Sequence, residues 1–335
     1  MAVFGITDGI ARGIEGVQAS VSGMLFEPVL RLGVTGLSRA GKTVFITGLI
    51  ANLLNRGRMP QLMAAREGRI ELVHLQPQPD VTLPRFDYEG HMAALAGDMP
   101  RWPDSTRAIS ELRLSFRTRP SGWFSGMRGP QTLHLDIVDY PGEWLLDLSL
   151  MEKSYGEWAE ETLARIERRK EAAGFLAEAR AADASRRLDE PEAQALARSF
   201  TAYLQAAREA GFSDCTPGRF LLPGDLAGSP VLTFAPLPRP TTTARGSLWR
   251  EMDRRYEAYK DRVVTPFFRD HFARLDRQIV LMDVLGALHQ GPQAVADLRR
   301  TMTEILQAFR GGRTGRLASL LGARRADQIL SAAPK

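Results

Sequence analysis

The chain alternates between short apolar runs of strand length and longer stretches in which apolar residues recur three or four positions apart. Short apolar runs bounded by turn residues predict buried strands, and such runs lie at 31–35, 277–285 and 327–333. The segment 108–117 alternates apolar and polar residues as a strand does, and 132–140 predicts a second strand after it. A turn-rich segment joins 108–117 to 132–140, which predicts an antiparallel hairpin with a long loop.

Helical spacing dominates elsewhere. The apolar run 44–54 predicts one helix, and 292–309 predicts another with its stripe at Val295, Leu298, Met302, Ile305 and Phe309. From about 150 to 270 the pattern is helical, with stripes formed by Leu196, Phe200, Leu204 and Ala207 and by Leu248, Met252, Tyr259, Val263 and Phe267. Between these stripes, the proline- and glycine-rich segment 217–240 predicts a connection with one short strand. Residues 57–104 contain many prolines and little regular pattern.

This order of elements predicts an α/β fold, a doubly wound sheet interrupted by an inserted, mainly helical domain. The expected divisions are an N-terminal amphipathic segment at 1–29, the first part of the core at 30–149, the helical insertion at 150–273 and the second part of the core at 274–335. Residues 6–25 predict an amphipathic helix that packs on its own domain or docks on a membrane surface or partner, with its stripe at Ile6, Ile10, Ile14, Val17, Val21 and Leu25.

Composition narrows the class of protein. With 44% hydrophobic and 25% charged residues, the chain of 335 residues is typical of a globular protein with a full core. The single cysteine, Cys215, excludes an internal disulfide framework and favours a reducing compartment. Basic residues are interspersed with acidic ones, so the net charge of +5 gives no evidence for nucleic-acid binding. The five histidines show no metal-ligand spacing. We therefore expect a cytoplasmic protein, with peripheral attachment to the inner membrane as an alternative.

The stretch GLSRAGKT at 36–43 lies between a predicted strand and a predicted helix, which is the context of a phosphate-binding loop. Gly36 and Gly41 allow the backbone N–H groups to point inward, and the helix N-terminus adds partial positive charge. Lys42 would reach the β- and γ-phosphates, and the Thr43 hydroxyl would bind Mg²⁺. The predicted nucleotide-binding residues of the loop are Gly36, Leu37, Ser38, Arg39, Ala40, Gly41, Lys42, Thr43 and Val44.

A second motif, D-Y-P-G at 139–142, ends the predicted strand 132–140. An aspartate at the carboxyl end of such a strand lies beside the phosphate loop, so Asp139 is the predicted Mg²⁺ ligand. Gly142 would offer its backbone N–H to the γ-phosphate, which a side chain would obstruct.

GLSRAGKT and DIVDYPGEW resemble the first and third signature motifs of the translation-factor and Ras-like class of GTPases. Together with WPDST before the hairpin and RQIVLMDVL after the helical stretch, they resemble the YcjX-like family of bacterial P-loop stress proteins over nearly the whole chain. The resemblance implies a GTPase core with an inserted helical region, GTP or GDP with Mg²⁺ as ligands, a cytoplasmic site and an association with envelope stress. An ATPase with the same phosphate site stays open, because only base recognition separates the two.

The resemblance also assigns the switch residues. The Mg²⁺-sensing threonine should precede the second core strand, where Thr106 lies; Arg107 beside it is a cis arginine finger or a surface arginine. Glu143 stands where the Ras pattern often has a water-positioning glutamine, and it is a base, a structural residue or a group that faces away. We therefore expect slow, partner-stimulated hydrolysis, with an unknown and membrane-associated protein as the partner. The remaining alternative is a non-hydrolysing interaction module with structural nucleotide.

GTPases of this class recognise guanine through [NT]-K-x-D at the end of the fifth core strand. The chain stops at Pro334-Lys335 directly after the predicted strand 327–333, so Lys335 is the predicted lysine of that motif. On this interpretation the C-terminal part of the core is missing, and this chain should discriminate GTP from ATP poorly.

Overall fold

The computed structural model describes residues 27–37, 40–55, 59–103, 108–120, 129–310 and 328–332. The predictions for 6–25, Ser38, Arg39, Thr106, Arg107 and Lys335 lie outside these residues. The described chain forms two compact units, the first from 27–141, 274–282 and 328–332 and the second from 142–273 and 283–310. The domain boundaries expected from the sequence, with the second unit as an insertion, stay predictions.

The first unit contains the strands β1 (Val29–Gly36), β2 (Ile70–Gln76), β3 (Ser110–Thr118), β4 (Gln131–Asp139), β5 (Arg277–Leu281) and β6 (Gln328–Ala332). They form one sheet in the order β2-β3-β4-β1-β5-β6. The pairs β4–β1, β1–β5 and β5–β6 are parallel, and β2–β3 and β3–β4 are antiparallel. The mixed α/β class and the predicted hairpin are therefore confirmed.

Three described helices accompany the sheet, α1 (Lys42–Leu54), α2 (Met63–Arg66) and α3 (Tyr88–Ala96). Alternate residues of the strands face α1, because successive side chains of a strand point to opposite faces. The resulting core is mostly aliphatic and includes Leu32, Val34, Ile46, Ile50, Leu112, Leu114, Leu135, Ile137, Ile279 and Leu281.

Two sequence predictions for this unit need correction. Residues 57–104 are not irregular, since they contain β2, α2 and α3. Strand β2 lies at the edge of the sheet and leaves Leu72 about half exposed, so its alternation is weak. The run 277–285 is a strand only as far as Leu281. The Asp283 side chain accepts a hydrogen bond from the Gly286 N–H at 2.9 Å and thereby caps a helix that begins at residue 284.

The second unit is helical over its described residues. Its helices are α4 (Glu143–Leu146), α5 (Tyr155–Ile166), α6 (Ala173–Ala181), α7 (Glu190–Glu209), α8 (Gly218–Leu221), α9 (Leu248–Tyr259), α10 (Thr265–Asp270), α11 (Val284–Gln290) and α12 (Pro292–Arg310). A π-helical turn, Lys260–Val264, joins α9 to α10. The strand predicted within 217–240 is absent there; short helical turns occupy the segment, where Pro217, Pro223 and Pro230 could not donate to a strand ladder.

The predicted helical stripes are buried in the second unit. On α7 these are Leu196, Phe200, Leu204 and Ala207, and from α9 to α10 they are Leu248, Met252, Tyr259, Val263 and Phe267. On α12 Leu298, Met302 and Ile305 are buried and Val295 is partly exposed; the Phe309 side chain lies outside the description. No described helix is long and apolar enough to span a bilayer.

Candidate functional site

The loop between β1 and α1 is a tight turn that depends on its two glycines. Gly41 adopts φ = +74°, a left-handed conformation that disfavours a side chain. A Cβ on Gly36 would lie 3.0 Å from the Leu281 Cβ and 3.1 Å from the Ala40 Cβ, so a side chain here would have to push its neighbours aside. The Leu37 carbonyl accepts the Ala40 N–H at 3.1 Å and closes the turn.

Helix α1 begins directly at the end of this loop. Lys42 and Thr43 are its first two residues, Val44 is the third, and no acidic side chain occupies the first turn. The N–H groups of a first helical turn lack intrahelical partners and carry partial positive charge, so they favour an anion. Thr43 as a whole residue is 9% exposed.

Strand β4 brings a carboxylate to the same edge of the sheet. Val34 of β1 is the register partner of Asp139, the last residue of β4, so both strands end beside the loop. The Lys42 ammonium forms an ion pair with Asp139, and the two side chains are 9% and 2% exposed. The Thr35 hydroxyl donates to the Tyr140 carbonyl at 3.1 Å and joins the two strand ends. The structure thus brings Gly36, Gly41, Lys42, Thr43 and Asp139 together.

This group of side chains fits a polyphosphate with a divalent cation. An ammonium and helical N–H groups bind phosphate oxygens, while a hydroxyl and a carboxylate are oxygen ligands of the kind Mg²⁺ takes. The described residues contain no cluster of three or more His, Cys, Asp or Glu side chains that could hold a metal ion by themselves. Mg²⁺ commonly takes one or two protein ligands and completes its shell with phosphate oxygens and water, so this donor set is sufficient.

The ion pair itself is informative. Lys42 and Asp139 lie 97 residues apart and neutralise each other in a nearly buried position. Separating them without compensation would leave two desolvated charges, which costs several kcal/mol. A ligand that carries both negative phosphate and a cation compensates both charges at once.

Gly142 and Glu143 belong to the second unit, where Gly142 precedes α4 and Glu143 is its first residue, 8% exposed. Ser38, Arg39, Thr106, Arg107 and Lys335 lie outside the described residues, so their roles stay predictions.

Sequence reasoning missed Asp147, which follows α4 and is 2% exposed. It accepts hydrogen bonds from the Gly218 N–H at 2.8 Å and from the Tyr259 hydroxyl at 2.6 Å. Burial raises the pKa of Asp147 to about 6, although these hydrogen bonds act to lower it. The sequence does contain an indication of this buried carboxylate, since Asp147 lies inside the apolar run WLLDLSL at 144–150.

Comparison with known proteins assigns the chain to a family. The chain matches the YcjX-like family, DUF463, over residues 30–335. It is 40% identical over 330 residues to a Shewanella oneidensis protein named "Ras-like GTPase YcjX", an alignment that covers 91% of this chain and 68% of the relative. It is also 40% identical over 297 residues to an Escherichia coli K12 protein of the same name, covering 84% of this chain and 64% of that relative. The chain thus spans about two thirds of the length of these curated relatives.

Proposed function

The chain belongs to the YcjX-like family, and from that membership we propose that it is a Mg²⁺-dependent GTPase that acts as a slow conformational switch in a bacterial stress response. The observation that carries the proposal is the nearly buried ion pair between Lys42 and Asp139 beside a tight glycine loop and a helix N-terminus. The printed name of the two relatives, Ras-like GTPase, supports guanine nucleotide as the ligand.

The proposed fold is a Ras-like P-loop core with the second unit as its insertion. The parallel run β4-β1-β5-β6 supports this, because the loop lies at the carboxyl end of a central parallel strand, where such sheets bind nucleotides. On this proposal β2 is an additional edge strand.

The proposed binding roles follow from the chemistry of each group. Lys42 and the backbone N–H groups of the loop bind the β- and γ-phosphates, and Thr43 and Asp139 bind Mg²⁺, which neutralises phosphate charge during transfer. Nucleotide binding then requires Lys42 to exchange its carboxylate partner for phosphate oxygens.

The proposed catalytic roles rest on the sequence motifs. Thr106 completes the metal site, Gly142 donates its N–H to the γ-phosphate, Arg107 stabilises transition-state charge and Lys335 packs on the base. Glu143 replaces a water-positioning glutamine, and a carboxylate near phosphate is repelled, so unassisted hydrolysis is slow. We extend the proposal to a protein partner that stimulates turnover, at the inner membrane or in the cytoplasm.

Calorimetric titration with GDP and with GTP, each with and without Mg²⁺, tests the site. Lys42→Ala should weaken binding by about 100-fold or more, because it removes the point charge on the phosphates. Lys170→Ala is the matched control, since the Lys170 side chain is 92% exposed, and it should bind as the wild type does. Unchanged affinity in Lys42→Ala would overturn the site.

The same preparations separate the alternatives. Single-turnover assays with GTP and ATP should show slow hydrolysis of GTP. Faster turnover of ATP would make the protein an ATPase, and tight binding without turnover of either would make the nucleotide structural.

A further inference from the structure

The segment that follows the D-Y-P-G motif is attached to distant parts of the second unit through Trp144. The Arg219 guanidinium lies 3.2 Å from the centroid of the Trp144 ring, a cation–π contact. The indole N–H donates to the Leu222 carbonyl at 3.2 Å. Phe267 of α10 meets the Trp144 ring edge-on, with centroids 5.3 Å apart. Helix α4 is therefore held by residues of α8, its C-cap and α10.

Asp147 provides the second attachment. Its Oδ1 accepts the Gly218 N–H and its Oδ2 accepts the Tyr259 hydroxyl, so each carboxylate oxygen has its own donor. These donors lie 71 and 112 residues away along the chain. Because the carboxylate is buried, loss of either donor would leave an acceptor atom unsatisfied, which costs more than the net value of one hydrogen bond.

Gly218 also touches the backbone of α4 directly. A Cβ at this position would lie 2.0 Å from the Glu143 carbonyl oxygen and 3.1 Å from the Trp144 nitrogen. Only glycine allows α8 to approach α4 this closely. Gly218 therefore contacts the backbone at Glu143 and also binds the Asp147 side chain. We call Trp144, Asp147, Gly218, Arg219 and Tyr259 the α4 latch.

We propose that the α4 latch positions Glu143 for hydrolysis, with Asp147 and Tyr259 as positioning residues. The inference rests on the proposed GTPase function and adds a requirement to it. Glu143 and Gly142 lie at the start of the short helix that the latch holds, so loosening the latch lowers the fraction of molecules in which they are correctly placed. Lys42, Thr43 and Asp139 are not part of the latch, so phosphate and Mg²⁺ binding should be independent of it.

Tyr259→Phe and Asp147→Asn test the latch, and both keep the shape of the side chain. Tyr259→Phe removes the hydroxyl that donates to Asp147, and Asp147→Asn replaces the carboxylate oxygen that accepts this hydrogen bond by an N–H donor. We expect the single-turnover rate of GTP hydrolysis to fall about tenfold in each, which corresponds to about 1.4 kcal/mol in the barrier. The dissociation constant for GDP with Mg²⁺ should stay within about twofold of the wild type, since binding uses other groups. Tyr155→Phe is the control: its buried hydroxyl donates to the Ala235 carbonyl at 2.8 Å and not to a residue of the α4 latch, so its removal should leave the rate unchanged.

The outcomes separate this inference from the proposed function. A wild-type protein that does not hydrolyse GTP overturns both. Turnover at the wild-type rate in Tyr259→Phe overturns the latch alone, as does a loss of GDP affinity that parallels the loss of rate. If Asp147→Asn does not fold, as judged by circular dichroism, Tyr259→Phe decides the question, because it keeps the aromatic ring.

Discussion

The two units of this protein bury different kinds of side chain. The core of the sheet unit is mostly aliphatic, whereas the helical unit centres on aromatic rings: Trp158 stacks on Tyr256 with centroids 5.1 Å apart and meets Phe234 edge-on at 5.6 Å. Aliphatic side chains fit between a sheet and a helix without directional bonds. Tryptophan and tyrosine also carry an N–H or O–H group, and here the Tyr256 hydroxyl donates to the Leu150 carbonyl at 3.1 Å. In the helical unit, aromatic hydroxyl groups thus also bind backbone carbonyls of the connections between helices.

Both units also contain buried ion pairs. In the sheet unit, Arg113 and Asp136 pair across neighbouring strands at 2.6 and 2.7 Å. In the helical unit, Arg169 binds Asp214 through two hydrogen bonds of 2.9 Å and also reaches Asp297 at 3.2 Å. Burial acts to raise the pKa of Asp214, but the hydrogen bond from Arg169 and the charge of Arg165 hold it below its ordinary value. In the helical unit one arginine thus binds two buried carboxylates, Asp214 and Asp297, whereas Arg113 of the sheet unit binds one.

The largest expected effect comes from breaking that ionic cluster. Arg169→Ala should lower the free energy of unfolding by about 4 kcal/mol, because it leaves the Asp214 carboxylate buried with less compensation. Arg180→Ala breaks an exposed pair with Glu167 and should change stability by less than about 1 kcal/mol. Urea denaturation measures both. Equal effects would show that burial of the pair is unimportant.

The second-largest loss of stability should come from removing a side chain of the aliphatic core. Leu114→Ala removes a fully buried side chain from β3 and should cost about 3 kcal/mol through lost burial and the cavity that remains. Leu72→Ala, on the neighbouring strand, removes a side chain that is 48% exposed and should cost well under half of that. Similar urea midpoints for the two variants would contradict the assignment of β3 to the core.

Asp147 should give a stability that depends on pH. Its folded-state pKa, raised to about 6 by burial, lies above the value near 4 of an unfolded aspartate, so between these values the folded protein holds a proton that the unfolded chain has lost. The free energy of unfolding should therefore fall as pH rises from about 4 to about 6, by at most about 3 kcal/mol, and level off above. Tyr259, Gly218 and Arg219 face this carboxyl, and their interactions act to lower its pKa and limit the fall.

Denaturation of the wild type and of Asp147→Asn from pH 4 to pH 7 isolates this contribution. As pH rises from about 4 to about 6, the free energy of unfolding of the wild type should fall relative to that of Asp147→Asn, since asparagine does not titrate. Parallel profiles would mean that Asp147 ionises at its ordinary pH in the folded protein.

The smallest expected effect tests the polar contacts of the aromatic core. Tyr155→Phe removes the hydroxyl that donates to the Ala235 carbonyl and should cost about 1 kcal/mol while keeping the ring contacts. Thermal denaturation should show a lower midpoint. A midpoint equal to or above that of the wild type would mean that the ring alone holds residues 234–237.

Sequence reasoning succeeded for elements whose signal is local. The strands β1, β3, β4 and β6 and the helix α1 follow from apolar runs and spacing, and the glycine loop follows from its motif. It was wrong for β2, where edge exposure of Leu72 weakens the alternation, and for 282–285, where the Asp283 cap ends the strand. It also predicted a short strand in 217–240 from the apolar residues there. The segment forms no strand, because its prolines cannot donate hydrogen bonds to a strand ladder.

Some features of the candidate site likewise follow from local sequence, and others depend on tertiary contacts. The sequence by itself determined the glycine loop through its motif, and the left-handed Gly41 is a requirement of the local backbone. The crowding at Gly36 comes partly from Leu281 of β5, a neighbour that only the tertiary structure reveals. The sequence also indicated that Asp139 ends a strand, since that follows from the hairpin pattern. Only the tertiary structure decided which groups meet: Lys42 with Asp139, and Asp147 with Gly218 and Tyr259. The physical reason is that desolvation and hydrogen bonding of a buried charge depend on what packs against it, and those neighbours come from remote parts of the chain.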